Sequence, residues 1–340
     1  MKMIRGITDF KNMKIYSPEE NKPVLSSLEV LNEGINGYLP GKLYLWTGNT
    51  GHGKTSFLVQ EIVAALLDGE KVFWYAGEQS RNECLTMLAR VLLGPEYVKT
   101  FRHRTGYEEN YVDGEDIKNI INWLDGRLYL RCLNDYDDNY INIFEVMQGA
   151  KKAGVRYFVI DNLMTITAQE KIQGKDEWEK QERFVLDLKE FTKKEGEEVV
   201  MHLVAHPRKP EIIGGRPAPV TDITQVLGTS KVPNLVDMGF SVNKLDEDEK
   251  VKYLEKMKKK GEEVEFAPDT ILFVLKTRGI QCYQRFFAIR FDTISCRFYT
   301  KEEELYRDWS WLIQAKDRSI EDIKEWWKVD ENDEDELVNF

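Results

Sequence analysis

From residue 42 to about 300 the chain alternates short apolar runs with longer segments whose apolar residues recur every three or four positions. "KLYLW" (42–46), "KVFWYA" (71–76), "RYFVID" (156–161), "VVMHLVAH" (199–206), "DMGFSV" (237–242) and "TILFVLK" (270–276) are rich in Val, Ile, Phe and Tyr and read as strands. Between them "KTSFLVQEIVAALLDG", "RNECLTMLARVLLG", "NIFEVMQGAKKAG" and "EKQERFVLDLKEFTKKEG" carry helical spacing and end in glycine, a helix-stop signal. Strand and helix in alternation predict an α/β fold whose mainly parallel sheet is covered on both faces. "RFFAIRFD" and "CRFYT" follow one another with no helix between, which predicts antiparallel strands at the C-terminal edge. Residues 1–35 are polar and mixed and read as an arm or linker, 36–300 as the main domain, 301–329 as a helical extension and 330–340 as an acidic disordered tail. The mixed-charge run 246–265 reads as a solvated helix or hairpin.

Composition narrows the function classes. With 42% hydrophobic residues in 340, a sizeable core is expected. No apolar stretch approaches the ~20 residues that span a bilayer, and the N-terminus lacks the apolar core of a signal peptide. Cys84, Cys132, Cys282 and Cys296 form no CxxC pair and read as reduced thiols of a cytosolic protein, with no structural zinc site. The formal charge of −11 argues against a chain that coats nucleic acid over its whole surface. "DENDEDE" (330–336) carries six of the acids, and without them the chain would stand at −5. Any nucleic-acid site must therefore be a confined basic patch.

"GNTGHGKT", Gly48 through Thr55, fits G-x-x-x-x-G-K-[ST] directly after a strand and opening a helix, the context that motif requires. Turns without side chains let backbone N–H groups converge on phosphate oxygens, and the helix N-terminus favours the negative charge. Gly48, Asn49, Thr50, Gly51, His52, Gly53, Lys54, Thr55 and Ser56 are the expected nucleotide-binding residues, for ATP or another NTP. Lys54 would reach the β- and γ-phosphates and Thr55 would ligate Mg²⁺. Asp161, at the C-terminal tip of a strand, is the second candidate Mg²⁺ residue; it could also cap the next helix. Asn162 follows it, so no adjacent glutamate can polarise the attacking water. Glu78, at the tip of "KVFWYAGEQ", is the candidate base, with a surface helix-start glutamate as the alternative. His206, ending "VVMHLVAH", could hydrogen-bond a γ-phosphate; by itself it also reads as a satisfied strand-end histidine. His202 and His206 share a strand face only, a poor arrangement for a metal.

The ordered set GNTGHGKT, YAGEQ, FVIDN, LVAHPRKP, GGRPAPVTDI…LGTSKVPNLVD and LKTRG resembles the RecA-type ring helicases, in particular the helicase half of phage helicase-primases and of mitochondrial Twinkle, and more distantly DnaB. The resemblance spans residues 25–300. It implies a RecA-like P-loop NTPase core, a homo-oligomeric ring of hexameric type in which residues 1–35 pack on a neighbouring subunit, and a cytoplasmic setting in a phage-infected bacterium. It makes His206 a phosphate sensor, and Lys276 and Arg278 residues that reach a neighbouring subunit's ATP site, Arg278 as an arginine finger. No zinc-binding cysteine set or primase segment precedes the helicase part, so priming is not expected from this chain, and a separate primase is a candidate partner.

Residues 202–231 hold Arg208, Lys209, Arg216 and Lys231 against Glu211 and Asp222, a basic balance in an acidic chain. Their Pro- and Gly-rich loop, 206–223, is of the kind that carries function, with a solvated surface loop as the bland alternative. By resemblance it lines the ring's channel and touches single-stranded DNA, and residues 168–175, with Lys171 and Lys175, form a second channel loop. Two other readings stay open: a RecA- or RadA-like recombinase filament, and a nucleotide-switched assembly factor with little turnover. The acidic, Phe340-ended tail resembles those by which phage replication proteins contact their polymerase, and is expected to tether a basic partner.

Overall fold

In the computed structural model, the structure describes residues 22–132, 142–172, 174–194, 196–213, 215–227, 231–261, 267–279, 282 and 284–307. Its first half runs α1 (Glu29–Ile35), β1 (Lys42–Thr47), α2 (Lys54–Leu67), β2 (Val72–Ala76), α3 (Arg81–Leu93), a hairpin of β3 (Lys99–Arg102) and β4 (Glu108–Tyr111), α4 (Gly114–Leu124) and β5 (Leu128–Cys132). There follow α5 (Ile143–Lys152), β6 (Tyr157–Asp161), α6 (Leu163–Gln169), α7 (Glu177–Thr192) and β7 (Val200–Val204). The remainder is a small hairpin of β8 (Ile212–Ile213) and β9 (Arg216–Pro217), then α8 (Lys231–Leu235), β10 (Met238–Lys244), α9 (Glu247–Lys260), β11 (Thr270–Thr277), β12 (Phe286–Phe291), β13 (Phe298–Tyr299) and α10 (Glu302–Leu305).

Nine strands form one sheet in the order β13-β12-β11-β10-β1-β7-β6-β2-β5. From β10 to β5 every pairing is parallel, whereas β11, β12 and β13 join antiparallel. The helix-free C-terminal strands predict this for β12 and β13, but not for β11, which follows the helix α9 and still pairs antiparallel with β10. The central strands read as unbroken apolar runs because alternate residues enter two different cores. Tyr44, Trp46, Trp74 and Val159 pack with Phe57 and Ile62 of α2. Leu43, Leu45, Phe73 and Ile160 pack with Phe184 and Leu188 of α7 on the other face. His202 belongs to the first core, where the Trp46 indole donates to its Nδ1 (2.9 Å) and burial pulls its pKa down to about 3.

Several elements depart from the sequence expectations. Residues 24–35 are part of this chain's own core rather than an arm: Val24, Leu28, Leu31 and Ile35 are buried, and Ser27 donates to the buried Glu61 carboxylate of α2. Residues 1–21 and the tail 330–340 lie outside the described residues, as does most of the 301–329 extension. β5 and α4 were not expected, since "LYLRC" is short and semi-polar. Of the run 246–265 the described part, 246–261, forms the largely exposed helix α9, started by an Asp246–Glu249 capping box and stopped at Gly261. None of the four cysteines is in a disulfide, though the fold brings the buried Cys84 and Cys132 sulfurs to 3.9 Å. Among the described residues no helix is long and apolar enough to cross a membrane.

One buried arginine ties the C-terminal strands to the front of the sheet. Arg297 donates to Val91 O (2.8 Å) and Leu92 O (3.0 Å) at the end of α3, to Leu305 O (2.7 Å) at the end of α10 and to Arg307 O (2.8 Å) just beyond it. Replacing it strands buried acceptors, each costing ~1–3 kcal/mol. Arg297→Met is expected to lower unfolding free energy by at least about 3 kcal/mol, read from urea midpoints. A loss under about 1 kcal/mol would contradict this bracing role.

Candidate active site

β1, β7, β6 and β2 are adjacent and parallel, so the residues that follow their carboxyl ends share one edge of the sheet. Those residues are the P-loop, His206, Asp161 and Glu78. The P-loop turns sharply at Gly48 (φ 140°), where a Cβ would come within 2.3 Å of Val242 O, and α2 starts directly after Gly53 (φ 91°). First-turn N–H groups of a helix have no intrahelical acceptor, and here they open on a cavity of about 470 Å³ lined by residues 50–56.

Lys54 is only 8% exposed and spans the loop, donating to Gly48 O (2.8 Å) and Asn49 O (3.0 Å). Burial lowers its pKa, and the nearby Asp161 and Glu78 carboxylates work against that shift. The Thr55 hydroxyl donates to Asp161 Oδ2 (2.6 Å). Burial pushes the Asp161 carboxyl up to about 6, with Glu78 adding to the rise while Thr55, Lys54 and His206 oppose it. Asp161 is not the cap of the next helix. Asn162 is, its Oδ1 accepting from Thr165 N (3.0 Å) at the start of α6, which leaves the carboxylate to Thr55.

Asn162 also organises the far side of the site. Its amide donates to Glu78 Oε1 (2.5 Å) and lies 3.1 Å from His206 Nε2, which is itself 3.4 Å from Glu78 Oε1. The candidate base and the candidate phosphate sensor are thus held side by side by a residue that sequence reasoning noted only for not being a glutamate. His52 Nδ1 accepts from Lys244 N (3.2 Å), so in the neutral ring the proton sits on Nε2. Burial, then Lys54 and Lys244, lower its pKa and favour that neutral form.

Beyond the P-loop the cavity is walled by Phe291, Phe298, Asp269, Thr270, Lys244 and Lys250, none of which any motif marks. Its polar end suits phosphates and its aromatic wall suits a flat ring. Thr55 and Asp161 offer two hard oxygen donors 2.6 Å apart. That fits Mg²⁺, which takes few protein ligands and keeps water and phosphate oxygens. Among the described residues there is no cluster of three or more His, Cys, Asp or Glu that could cage a metal.

Lys276 and Arg278 are not brought to this cavity. β11 runs antiparallel to β10, with Thr270 opposite Lys244 at the nucleotide edge and Thr277 opposite Met238 at the other. At about 3.3 Å per residue, Arg278 lies ~25 Å along the strand from Thr270. Lys276 Nζ donates instead to Pro233 O of α8 (2.5 Å).

The long loop after His206 is more anchored than its composition suggests. Arg208 N donates to Gln225 O (2.6 Å), β8 and β9 form its tip, the Asn49 amide donates to Ala218 O (3.0 Å), and Val220 bonds Asn243 and Ser241. Arg208, Lys209 and Arg216 are exposed on it, Arg216 paired with Asp246. Lys231 falls outside the loop, as the first residue of α8, paired with Glu182 (2.8 Å). Lys171 and Lys175 line a second cavity between α6 and α7 that also includes Glu182.

The buried Asp161 charge carries a stability cost with a definite pH dependence. Its folded pKa of about 6 exceeds the ordinary 3.8, so the folded chain binds the proton more tightly and stability falls as pH rises between those values. At pH 7 the ionised group costs on the order of 3 kcal/mol. Asp161→Asn keeps an acceptor for Thr55 and is expected to melt higher than wild type at pH 7.5. The gap should close as pH falls from about 6 to 4. An equal or lower melting temperature at pH 7.5 would contradict this electrostatic picture.

No protein-family model matches the chain. Among solved structures it is similar to the ATPase domain of G40P, with TM-score 0.60 and 17% identity over 82% of this chain and 92% of that one. It is similar also to a DnaB-like replicative helicase whose interactions with primase were described, with TM-score 0.59 and 15% identity over 82% of this chain and 62% of the helicase. A KaiC-like protein, PH0186 from the archaeon Pyrococcus horikoshii OT3, gives TM-score 0.52 and 15% identity over 83% and 99%. Together with the sheet order and the strand-end site, these likenesses establish that the chain has the RecA-like P-loop ATPase fold.

Proposed function

We propose that this protein is an ATP-dependent, ring-forming DNA helicase that moves along single-stranded DNA by hydrolysing ATP, or another NTP, with Mg²⁺. The observation that carries the reading is the separation of the two halves of the catalytic apparatus. Lys54, Thr55, Asp161, Glu78 and His206 meet at one edge of the sheet, while Lys276 and Arg278 stand at the opposite edge. A complete site then needs two subunits, the second supplying Arg278.

In that arrangement the P-loop N–H groups and Lys54 hold the triphosphate. Thr55 and Asp161 would hold Mg²⁺, which supplies charge neutralisation between the β- and γ-phosphates when bound. Glu78 orients the attacking water and takes its proton, and the neighbour's Arg278 meets the charge that builds on the γ-phosphoryl oxygens. His206 stands two residues before Arg208, and Asn49 of the P-loop bonds the same loop at Ala218, so loss of γ-phosphate is felt where DNA is gripped. Arg208, Lys209 and Arg216, with Lys171, Lys175 and Lys231 on adjacent elements, contact phosphates of the strand. The acidic tail tethers a polymerase, and a separate primase acts beside the ring. The G40P and DnaB-like likenesses support a helicase ahead of a recombinase or a static assembly factor.

Wild-type protein should unwind a forked duplex with ATP, and single-stranded DNA should stimulate its turnover. Glu78→Gln should still bind nucleotide but lose about 10²–10⁴-fold in turnover, because only the base is removed. Turnover indifferent to single-stranded DNA, with no unwinding, would overturn the helicase reading. Near-normal turnover of Glu78→Gln would place the base elsewhere.

A further inference from the structure

The edge of the sheet remote from the P-loop gathers five cations in a chain whose net charge is −11. Lys42 begins β1, Lys189 and Lys193 close α7, and Lys276 and Arg278 end the β11 strand. The carboxylate among them, Asp237, is buried and already committed: it accepts from Leu43 N (3.1 Å) and Lys193 Nζ (2.8 Å). Lys189 donates to Leu235 O and Lys276 to Pro233 O (2.5 Å), so the two ammonium groups share the end of α8. Lys42 Nζ lies beside Gly279, 3.2 Å from where a Cβ would stand. Burial lowers the pKa of both Lys189 and Lys276; Lys193, Arg278 and Lys42 lower Lys189 further, Arg278 and Lys189 lower Lys276 further, and Asp237 opposes in both cases.

Among the described residues, four of these cations have no carboxylate committed to them and two are partly desolvated, so they repel one another until an anion arrives. Carbonyl oxygens satisfy the Lys189 and Lys276 protons but not their charge. We propose that Lys189 is a further phosphate ligand acting in trans, reaching the nucleotide of the adjacent subunit beside Lys276 and Arg278, with Lys42 flanking. The inference rests on the reading of Arg278 as a residue supplied across a subunit interface, and it names the occupant of this patch as a neighbour's triphosphate. It also gives that nucleotide a route to DNA. α8 closes the segment that starts at His206, so drawing Lys189 and Lys276 toward a phosphate releases the carbonyls that end it.

The test compares turnover of full-chain rings on single-stranded DNA for Lys189→Gln, Lys189→Arg, Arg278→Ala and mixtures with Glu78→Gln. Lys189→Gln should lose about 10²-fold in turnover, in the range seen when one oriented donor to a transition state is removed. Lys189→Arg should recover most of it. Mixing Lys189→Gln with Glu78→Gln subunits should regenerate activity, since the second supplies an intact Lys189 to the first one's intact site. A defect that disables the Lys189→Gln subunit's own P-loop site would give no such recovery, and that result would overturn the proposal. So would near-normal turnover of Lys189→Gln alongside an inactive Arg278→Ala, which leaves the Arg278 reading standing. An active Arg278→Ala ring would remove the shared-site reading itself, and this inference with it.

Discussion

Parallel pairing of β1, β7, β6 and β2 is the constraint from which the rest of the site follows. Each strand delivers one chemical group to the same edge, and the shared direction fixes which edge that is. Reversing any one strand would send its group to the far side, as the antiparallel β11 does with Arg278. Two cores of interleaved aromatic and branched side chains hold the strands in that order. Burial on both faces also explains why a carboxylate at a strand tip is desolvated, and why Asp161 needs Thr55 and Lys54 close by.

Within this frame the polar groups are arranged by hydrogen bonds more than by charge pairs. Asn162 is the central case. It caps α6, frees Asp161 for Thr55, and holds Glu78 against His206, so one amide serves the helix, the candidate base and the candidate sensor. Asn49 has a similar double position, in the P-loop and against the loop that carries Arg216. Such side-chain-to-backbone ties let a change at the phosphate move a segment several residues long. The ion pair on that loop, Arg216–Asp246, is exposed and therefore weak enough to be exchanged for another anion.

Much of the fold was legible because buried parallel strands leave apolar runs and helices leave glycine stops. The P-loop was legible for a sharper reason: Gly48 and Gly53 sit at backbone angles that exclude side chains, and Lys54 and Thr55 follow in fixed register. What was not legible depends on distant partners. Residues 24–35 look polar in sequence, yet four spaced apolar residues bury against α2 and β12, with Gly34 letting Phe287 approach. The aromatic wall of Phe291 and Phe298 belongs to strands with no motif, placed there by the sheet edge. The far-edge cluster of Lys42, Lys189 and Lys276 comes from three segments that only the fold unites.

The central claim is that one chain holds half of each catalytic apparatus. It is tested most directly by per-subunit ATP turnover across a dilution series in which sedimentation follows assembly. The account predicts that the rate per subunit collapses as rings dissociate and is restored in step with their return. A rate per subunit that stays constant down to concentrations where only monomers sediment would contradict it.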